Sequence, residues 1–251
     1  MIINPNERLI VSLDFDDIND ALSLVDLLKE HVFFYKIGLQ MYLKYGSKII
    51  SELKSRNVKI FLDLKLNDIP NTIYSSIKVL SYYSVDILNM HTLSGFKAMQ
   101  EAKRAILEFT PQTKLVGVTV LTSLDDYELK RLGFSFNTIK EAEILSLLAK
   151  EAGLDGVISS AGEAFRIKEL SEDNFITICP GIRRAEDSKD DQKRAFTPLS
   201  AIKSGADYIV VGRPITKAAS PQEEVIKIIE EIRKGLEEKW KKKRYLLYFK
   251  T

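Results

Sequence analysis

Residues 59–91 read KIFLDLKLNDIPNTIYSSIKVLSYYSVDILNMH, and this stretch decides the fold. Its two ends, Lys59–Leu64 and Ile87–His91, are short apolar runs of the kind found in parallel strands buried on both faces. Between them, the apolar residues of Thr72–Tyr83 recur at three- and four-residue spacing, as on the buried side of a helix. Because parallel strands need a long crossover connection, the stretch predicts one strand–helix–strand unit.

The same unit repeats along the whole chain of 251 residues. The starts of successive apolar runs lie about 28 residues apart, which is the size of one strand with its crossover helix. This repeat predicts an α/β fold with one (β/α)8 TIM-barrel domain over residues 1–251, ahead of a doubly wound open sheet. The eight predicted strands are Leu9–Asp14, Phe33–Ile37, Lys59–Leu64, Ile87–His91, Leu115–Val120, Gly156–Ser159, Phe175–Cys179 and Tyr208–Val211. The other predicted helices are Asp20–Lys29, Gln40–Arg56, Phe96–Phe109 and Lys140–Ala152.

Two intervals depart from the even spacing, and the C-terminal segment is distinct in composition. The fifth interval contains an extra helical turn at Leu124–Leu132, and the seventh contains the charged segment Pro180–Thr197. Loops of that length are usually lids or disordered segments. The last residues, 237–251 (EEKWKKKRYLLYFKT), are basic and then aromatic. They predict a solvated helix end with a docked tail, with contact to a membrane surface or a partner as the alternative.

Composition excludes several classes of function. The 37 Lys and Arg residues nearly balance the 35 Asp and Glu residues, so overall charge does not indicate a nucleic-acid partner. One cysteine and two histidines cannot form an intrachain disulfide or a three-histidine zinc site. No signal-peptide pattern and no run of about twenty apolar residues is present. We therefore expect a cytoplasmic protein with no membrane partner.

Charged residues concentrate where the predicted strands end, which is the functional face of a TIM barrel. Asp14 ends the first run, Lys36 lies in the second, Asp63 and Lys65 end the third, and His91 ends the fourth. Residues two apart on a strand share a face, so Asp63 and Lys65 should project together, with Lys36 beside them. An ion-pair network that only closes the barrel is the structural alternative. Four charges on consecutive strand ends favour a functional site.

The last two strands are followed by residues suited to an anion. Pro180-Gly181-Ile182-Arg183 follows the seventh run, and Gly212-Arg213 follows the eighth. Glycine lets backbone N–H groups approach phosphate oxygens, and an arginine guanidinium donates two parallel hydrogen bonds. The loops after strands seven and eight commonly hold phosphate in TIM barrels. The sequence therefore predicts a phosphate site here.

The ten residues Asp63–Thr72, DLKLNDIPNT, resemble the signature of the orotidine 5'-phosphate decarboxylase family. The resemblance covers about residues 8–233, with no departure at a functional position. It implies a cofactor-free, metal-free enzyme that converts orotidine 5'-phosphate to UMP, the last step of de novo pyrimidine nucleotide synthesis. The other matching positions, in order, are Asp14, Lys36, Val120-Leu121-Thr122-Ser123, Pro180-Gly181-Ile182-Arg183, Gln192 and Gly212-Arg213.

The resemblance also implies a role for each matching residue. Lys65 would protonate C6 of the pyrimidine as carbon dioxide leaves, and Asp63 would lie near the substrate carboxylate. Lys36 would complete the charge network and, with Asp14, hold ribose hydroxyls. Asp68, the remaining catalytic residue, would come from the second subunit of a homodimer. The other implied substrate contacts are Ile69 and Thr72 from that subunit, Thr122 at the base, Pro180 and Arg183 in the closing loop, and Gln192, Gly212 and Arg213 at the phosphate.

Two other functions remain open from the sequence. Metal-dependent decarboxylases and aldolases that act on sugar phosphates share the barrel and a similar D-x-K-x-x-D block, and they use magnesium to stabilise an enediolate. A barrel that binds a nucleotide monophosphate without converting it is the second. Pro-Gly-Ile-Arg together with Gln192 favours a nucleotide substrate over a sugar phosphate.

Overall fold

A computed structural model describes residues 4–171, 174–183 and 196–248, with side chains described up to residue 239. Its eight strands are all parallel and close into a barrel, in which each strand pairs with the next and β8 pairs with β1. The predicted (β/α)8 TIM barrel is confirmed. The strands are β1 Leu9–Ser12, β2 Phe34–Gly38, β3 Lys59–Leu66, β4 Ile87–His91, β5 Lys114–Val118, β6 Gly156–Ile158, β7 Ile176–Cys179 and β8 Tyr208–Val211.

Helices surround the barrel and cover the outer faces of its strands. In the described part of the chain they are α1 Ile18–Leu28, α2 Leu39–Tyr45, α3 Ser47–Ser55, α4 Pro70–Leu80, α5 Phe96–Phe109, α6 Asp126–Arg131, α7 Thr138–Glu151, α8 Ala161–Leu170, α9 Pro198–Lys203, α10 Arg213–Thr216 and α11 Pro221–Tyr248. Short 3-10 turns occupy Pro5–Arg8, Ser81–Tyr83 and Thr92–Ser94.

The predicted strands agree with the observed ones to within two residues, and the extra helical turn at 124–132 is α6. The single helix predicted at Gln40–Arg56 is wrong, because the chain breaks there into α2 and α3. The break falls at Gly46, whose φ of 56° is a left-handed value that residues with a side chain rarely adopt. The first strand also ends earlier than predicted, at Ser12, so that Asp14 lies in the loop after β1.

The barrel interior is filled by a packed layer of apolar side chains, to which β5 contributes two inward residues and each other strand contributes one. Because successive residues of a strand point to opposite faces, the inward residue two positions beyond this layer reaches the mouth at the carboxyl ends of the strands. Polar residues placed there need not disturb the packing below. The inner layer consists of Ile10, Phe34, Phe61, Ile87, Val116, Val118, Ile158, Ile178 and Val210.

The C-terminal helix α11 continues into the segment 237–251, whose side chains from residue 240 onward lie outside the described residues. Both predictions for that tail therefore stay predictions. Across residues 4–171, 174–183 and 196–248, none of the helices combines the length and the apolar character needed to cross a membrane.

Candidate active site

Four consecutive strands place polar side chains at the barrel mouth, each two positions beyond the packed layer. They are Ser12 on β1, Lys36 on β2, Asp63 on β3 and Asn89 on β4. On β5, β7 and β8 the corresponding positions carry no polar side chain, and Ser160 after β6 is the N-cap of α8. The mouth is therefore charged on the side of β1 to β4 and largely apolar on the side of β5 to β8.

Asp63 is the centre of a chain of alternating charges. Its Oδ1 atom lies 2.7 Å from Nζ of Lys65, and its Oδ2 atom lies 3.1 Å from Nζ of Lys36. The Lys36 ammonium also lies 3.5 Å from Oδ1 of Asp14. The expected grouping of Lys36, Asp63 and Lys65 is confirmed, and Asp14 joins the same network from the loop after β1.

Burial and neighbouring charges act in opposite directions on Asp63, which is 7% exposed. Burial raises the pKa of this carboxyl, whereas the positive charges of Lys36 and Lys65 and the hydrogen bonds from Lys65 and Asn89 lower it. The lowering effects outweigh burial, so the pKa of Asp63 lies below its ordinary value. Asp63 is therefore ionised at neutral pH and balances positive charge at the mouth.

Asn89 is a site residue that the sequence reasoning missed. It is fully buried, its Nδ2 donates a hydrogen bond of 2.7 Å to Oδ1 of Asp63, and its Oδ1 accepts one of 2.8 Å from the backbone N–H of Lys65. A signal was present, since an asparagine inside the apolar run 87–91 needs buried polar partners. Its position two residues before His91 places it on the inward face of β4.

Ser12 is a second residue that was missed. It is buried at the end of β1, and its hydroxyl donates a hydrogen bond of 2.7 Å to Oδ2 of Asp14. The same two-residue spacing that relates Asp63 to Lys65 relates Ser12 to Asp14. Ser12 therefore orients the outermost carboxylate of the network toward Lys36.

A cavity of about 160 Å³ opens above the packed layer and is bounded by this network. Lys36, Asp63 and Lys65 line one side, and Thr122 and Pro180 contribute from the loops after β5 and β7. A ligand in this cavity meets charged groups on one side and an apolar surface on the other. The remaining lining residues are Phe61, Val118, Val120, Leu121, Ile158, Ser159 and Val210.

One group of three predicted site residues lies at the start of α4, outside this cavity. Asp68, Ile69 and Thr72 are exposed at the start of α4, and Ile69 exposes 65% of its surface. Oδ1 of Asp68 accepts a hydrogen bond of 2.7 Å from the backbone N–H of Ile69, which orders the turn into the helix. Within one chain, the structure does not bring these residues together with Lys65.

The residues predicted to bind phosphate follow β7 and β8 and do not line the cavity itself. Gly212 precedes α10 and Arg213 is its first residue, both half-buried. Arg183 lies at the base of the long loop, where its backbone N–H donates a hydrogen bond of 3.0 Å to the carbonyl of Phe196. Gln192 lies outside the described residues. Arg183, Gly212 and Arg213 thus lie at the same end of the barrel as Lys65, where the strands have their carboxyl ends.

Comparison with known sequences gives a consistent result. A family model described as "Orotidine 5'-phosphate decarboxylase / HUMPS family" matches residues 7–228. The orotidine 5'-phosphate decarboxylase of Fusobacterium nucleatum subsp. nucleatum is 45% identical over 218 residues, which span 86% of this chain and 92% of that protein. The enzyme of the same name from Carboxydothermus hydrogenoformans is 44% identical over 232 residues, which span 90% of this chain and 96% of the relative.

Solved structures agree with the sequence comparison. The crystal structure of orotidine 5'-phosphate decarboxylase from Lactobacillus acidophilus has a TM-score of 0.77 and 33% identity, and the match covers 90% of this chain and 99% of that one. An uncharacterized conserved protein from Geobacillus kaustophilus has a TM-score of 0.78, also at 33% identity, with 89% and 99% covered. With the family model matched over nearly the whole barrel, this chain belongs to the orotidine 5'-phosphate decarboxylase / HUMPS family.

Proposed function

We propose that this protein decarboxylates orotidine 5'-phosphate to UMP without a cofactor, as a cytoplasmic homodimer. The observation on which the proposal depends is the ammonium of Lys65, 2.7 Å from the ionised Asp63 at the edge of a cavity. Curated relatives that are 45% and 44% identical bear the name orotidine 5'-phosphate decarboxylase. The residue types, the geometry of the site and the sequence similarity therefore all support decarboxylation.

In the proposed reaction, Lys65 supplies both a positive charge and a proton. The bond between C6 and the carboxylate carbon breaks, carbon dioxide leaves, and the electron pair remains on C6. A proton from Nζ of Lys65 then forms the new C6–H bond, and the lysine regains a proton from water. A fixed cation where negative charge develops is usually the largest catalytic contribution, and each 1.36 kcal/mol gives about tenfold in rate.

The rest of the charge network prepares the substrate. Asp63 puts negative charge beside the substrate carboxylate, which disfavours the bound substrate relative to the state in which carbon dioxide has left. Lys36 lies between Asp63 and Asp14, so it can hold a ribose hydroxyl together with Asp14. Thr122 would contact the base, whose flat face suits the apolar side of the cavity.

The phosphate group would be bound at the ends of β7 and β8. The backbone of Gly212, the guanidinium of Arg213 and the amide of Gln192 are the proposed contacts, with Pro180 and Arg183 in a loop that closes over them. The phosphate does not react, so its binding energy serves to position the base against Lys65.

Asp68, Ile69 and Thr72 would act in the cavity of a second subunit. Ile69 is 65% exposed and Leu93 is 49% exposed, and their loops are joined by a hydrogen bond of 2.7 Å from the Ser94 hydroxyl to Oδ1 of Asn67. Exposed apolar side chains grouped on one surface are typical of an interface. A partner subunit would cover them and supply the acidic residue.

A metal-dependent reaction on a sugar phosphate is the rival. It needs carboxylates that are free to bind a cation, whereas Asp14 and Asp63 each face Lys36, and Asp63 also faces Lys65. Lys36 and Lys65 already neutralise the carboxylates that a magnesium ion would have to bind. This arrangement favours the metal-free reaction.

The test is the loss of orotidine 5'-phosphate absorbance on adding protein treated with EDTA. We expect full activity without metal, and no turnover for Lys65→Ala with an unchanged circular dichroism spectrum. Lys59→Ala is the matched control, because it removes a lysine from the amino end of the same strand and should keep activity. Near-normal activity of Lys65→Ala, a requirement for magnesium, or tight UMP binding with no release of carbon dioxide would each overturn the proposal.

A further inference from the structure

Lys65 has an unusual backbone conformation that its own side chain does not explain. Its φ is 51°, in the left-handed region, although it is not a glycine. It lies in a bulge, because β3 advances four residues from Leu62 to Leu66 while β4 advances two, from Leu88 to Met90. Such a bulge re-aims a side chain and is common next to active sites. Residues in sparsely populated conformations persist only where the surroundings fix them.

Asn89 is the residue that reaches the bulge from the neighbouring strand. Its Oδ1 accepts a hydrogen bond of 2.8 Å from the backbone N–H of Lys65. The bulge interrupts the regular backbone pairing of β3 with β4, and the Asn89 side chain takes the place of the missing partner. Its Nδ2 donates to Oδ1 of Asp63 at 2.7 Å, and the same oxygen faces Nζ of Lys65. One buried amide thus contacts both the backbone of the lysine and the carboxylate that holds its ammonium.

An amide of this size satisfies both partners at once without depending on protonation. An asparagine side chain has one acceptor and one donor group at its end, and here each has a partner in β3. Because Asn89 is fully buried, neither contact can be replaced by water without a change in packing. Its own strand is fixed by regular pairing with β5, where Asn89 lies opposite Val116.

We propose that Asn89 is a positioning residue for decarboxylation, which holds the Lys65 backbone in its left-handed bulge and orients Asp63 so that the lysine ammonium points at the reacting carbon. Asn89 itself does not touch the substrate. The inference rests on the function proposed for Lys65, and it assigns to β4 a part in the reaction that the sequence pattern did not reveal.

The first test measures the kinetics of the Asn89→Leu variant. Leucine has a similar side-chain shape to asparagine but can form neither hydrogen bond. We expect kcat to fall about a hundredfold, as for a misplacement of about 1 Å, with KM within about threefold, since ribose and phosphate contacts are untouched. Val116→Ala is the control, because it loses buried volume at the paired position on β5 and should lower stability without lowering kcat. A kcat of Asn89→Leu within threefold of the natural protein, or an equal loss in Val116→Ala, would overturn the proposal.

The second test is the pH profile of the near-isosteric Asn89→Asp. The charged groups facing this position are Asp63 and, across it, Lys36 and Lys65, with His91 two residues further on the same strand face. Two adjacent carboxyls share a proton at low pH, and that proton restores the hydrogen bond to Asp63. We expect kcat of this variant, relative to the natural protein, to fall as pH rises. Parallel pH profiles would contradict the positioning role.

The third test does not depend on activity. In a crystal structure of the substrate-free Asn89→Leu protein, Lys65 should leave its left-handed φ and its ammonium should separate from Oδ1 of Asp63. Retention of both features would refute the inference. If the natural protein failed to release carbon dioxide from orotidine 5'-phosphate, the proposed function would fall, and this structural comparison would still decide the role of Asn89 in shaping β3.

Discussion

Asp63 is the residue on which the charge network depends, since it is the only carboxylate within reach of both Lys36 and Lys65 among the described residues. Taking a carboxylate out of water is costly unless cations and hydrogen-bond donors compensate. Here two ammonium groups and the Asn89 amide do so, and the pKa of Asp63 is lowered despite its burial. The ionised state of this group is therefore stabilised by folding.

This lowering predicts how Asp63 contributes to stability as pH changes. A carboxyl whose pKa is lower in the folded chain stabilises the fold above its unfolded pKa, near 3.8, and loses that contribution as pH falls through the folded value. We expect Asp63→Asn to lower the free energy of unfolding by about 1 to 3 kcal/mol at pH 7. The difference from the natural protein should shrink below about pH 4.

Urea denaturation between pH 3 and pH 7 measures this difference. Glu30→Gln, which removes an exposed carboxylate outside the site, serves as the control and should show little change across the range. A stability difference for Asp63→Asn that grew toward low pH would mean that the sign of the pKa shift is wrong.

At this scale the sequence predicted the members of the network better than its geometry. Asp63 and Lys65 share a strand face by spacing alone, and Lys36 follows from the order of strands. The left-handed φ of Lys65 and the contacts of Asn89 depend on a bulge between β3 and β4. A bulge is a property of two paired strands, so the pattern of one strand does not reveal it.

At the scale of elements, helix α2 is bounded by two glycines that are needed for different reasons. A Cβ on Gly38 would lie 2.7 Å from Oδ1 of Asp14 and 2.9 Å from Nζ of Lys36, whereas its φ of −84° suits any residue. A Cβ on Gly46 would meet nothing within 4 Å, but its φ of 56° is strained for other residues. The first glycine makes room for the charge network, and the second permits the turn between α2 and α3.

The two alanine variants should therefore separate activity from stability. For Gly38→Ala we expect a fall of tenfold or more in kcat/KM with a nearly unchanged melting temperature, because the displaced atoms are the ends of flexible side chains. For Gly46→Ala we expect a loss of about 1 to 3 kcal/mol in the free energy of unfolding with unchanged kcat/KM. Steady-state kinetics and thermal melts of both proteins make the comparison.

Each variant is the control for the other, since both add one methyl group at an end of the same helix. Equal losses of activity, or a large loss of stability in Gly38→Ala, would contradict the different roles given to the two glycines.

Strands were predicted more accurately than helices because buried parallel strands read as continuous apolar runs. The pattern over 40–56 has helical spacing on both sides of Gly46, and a single glycine is tolerated within many helices. Sequence alone therefore could not show that this glycine ends α2. The left-handed φ at Gly46 is set by how α2 and α3 pack on the barrel.

At the scale of the whole molecule, charge is patterned although the total is nearly balanced. The formal net charge is only +2, so two copies of the chain feel little long-range repulsion. The surface beside Asp68 exposes Ile69 and Leu93. A homodimer through this surface would cover apolar side chains and bring the acidic residue to the cavity of the other copy.

Subunit sharing predicts recovery of activity in hybrid dimers. Asp68→Ala and Lys65→Ala should each be inactive alone, yet a hybrid of the two has one site with Lys65 from one chain and Asp68 from the other. Equal mixing should restore roughly a quarter of the natural activity, because half of the dimers are hybrids with one intact site each.

Mixing Lys36→Ala with Lys65→Ala is the control, since both lysines belong to the network of one chain and every site stays defective. Carbon dioxide release is measured after subunit exchange has been demonstrated by mass-labelled chains. No recovery in the test pair would place Asp68 within its own subunit, and recovery in the control would mean that Lys36 and Lys65 do not serve the same site.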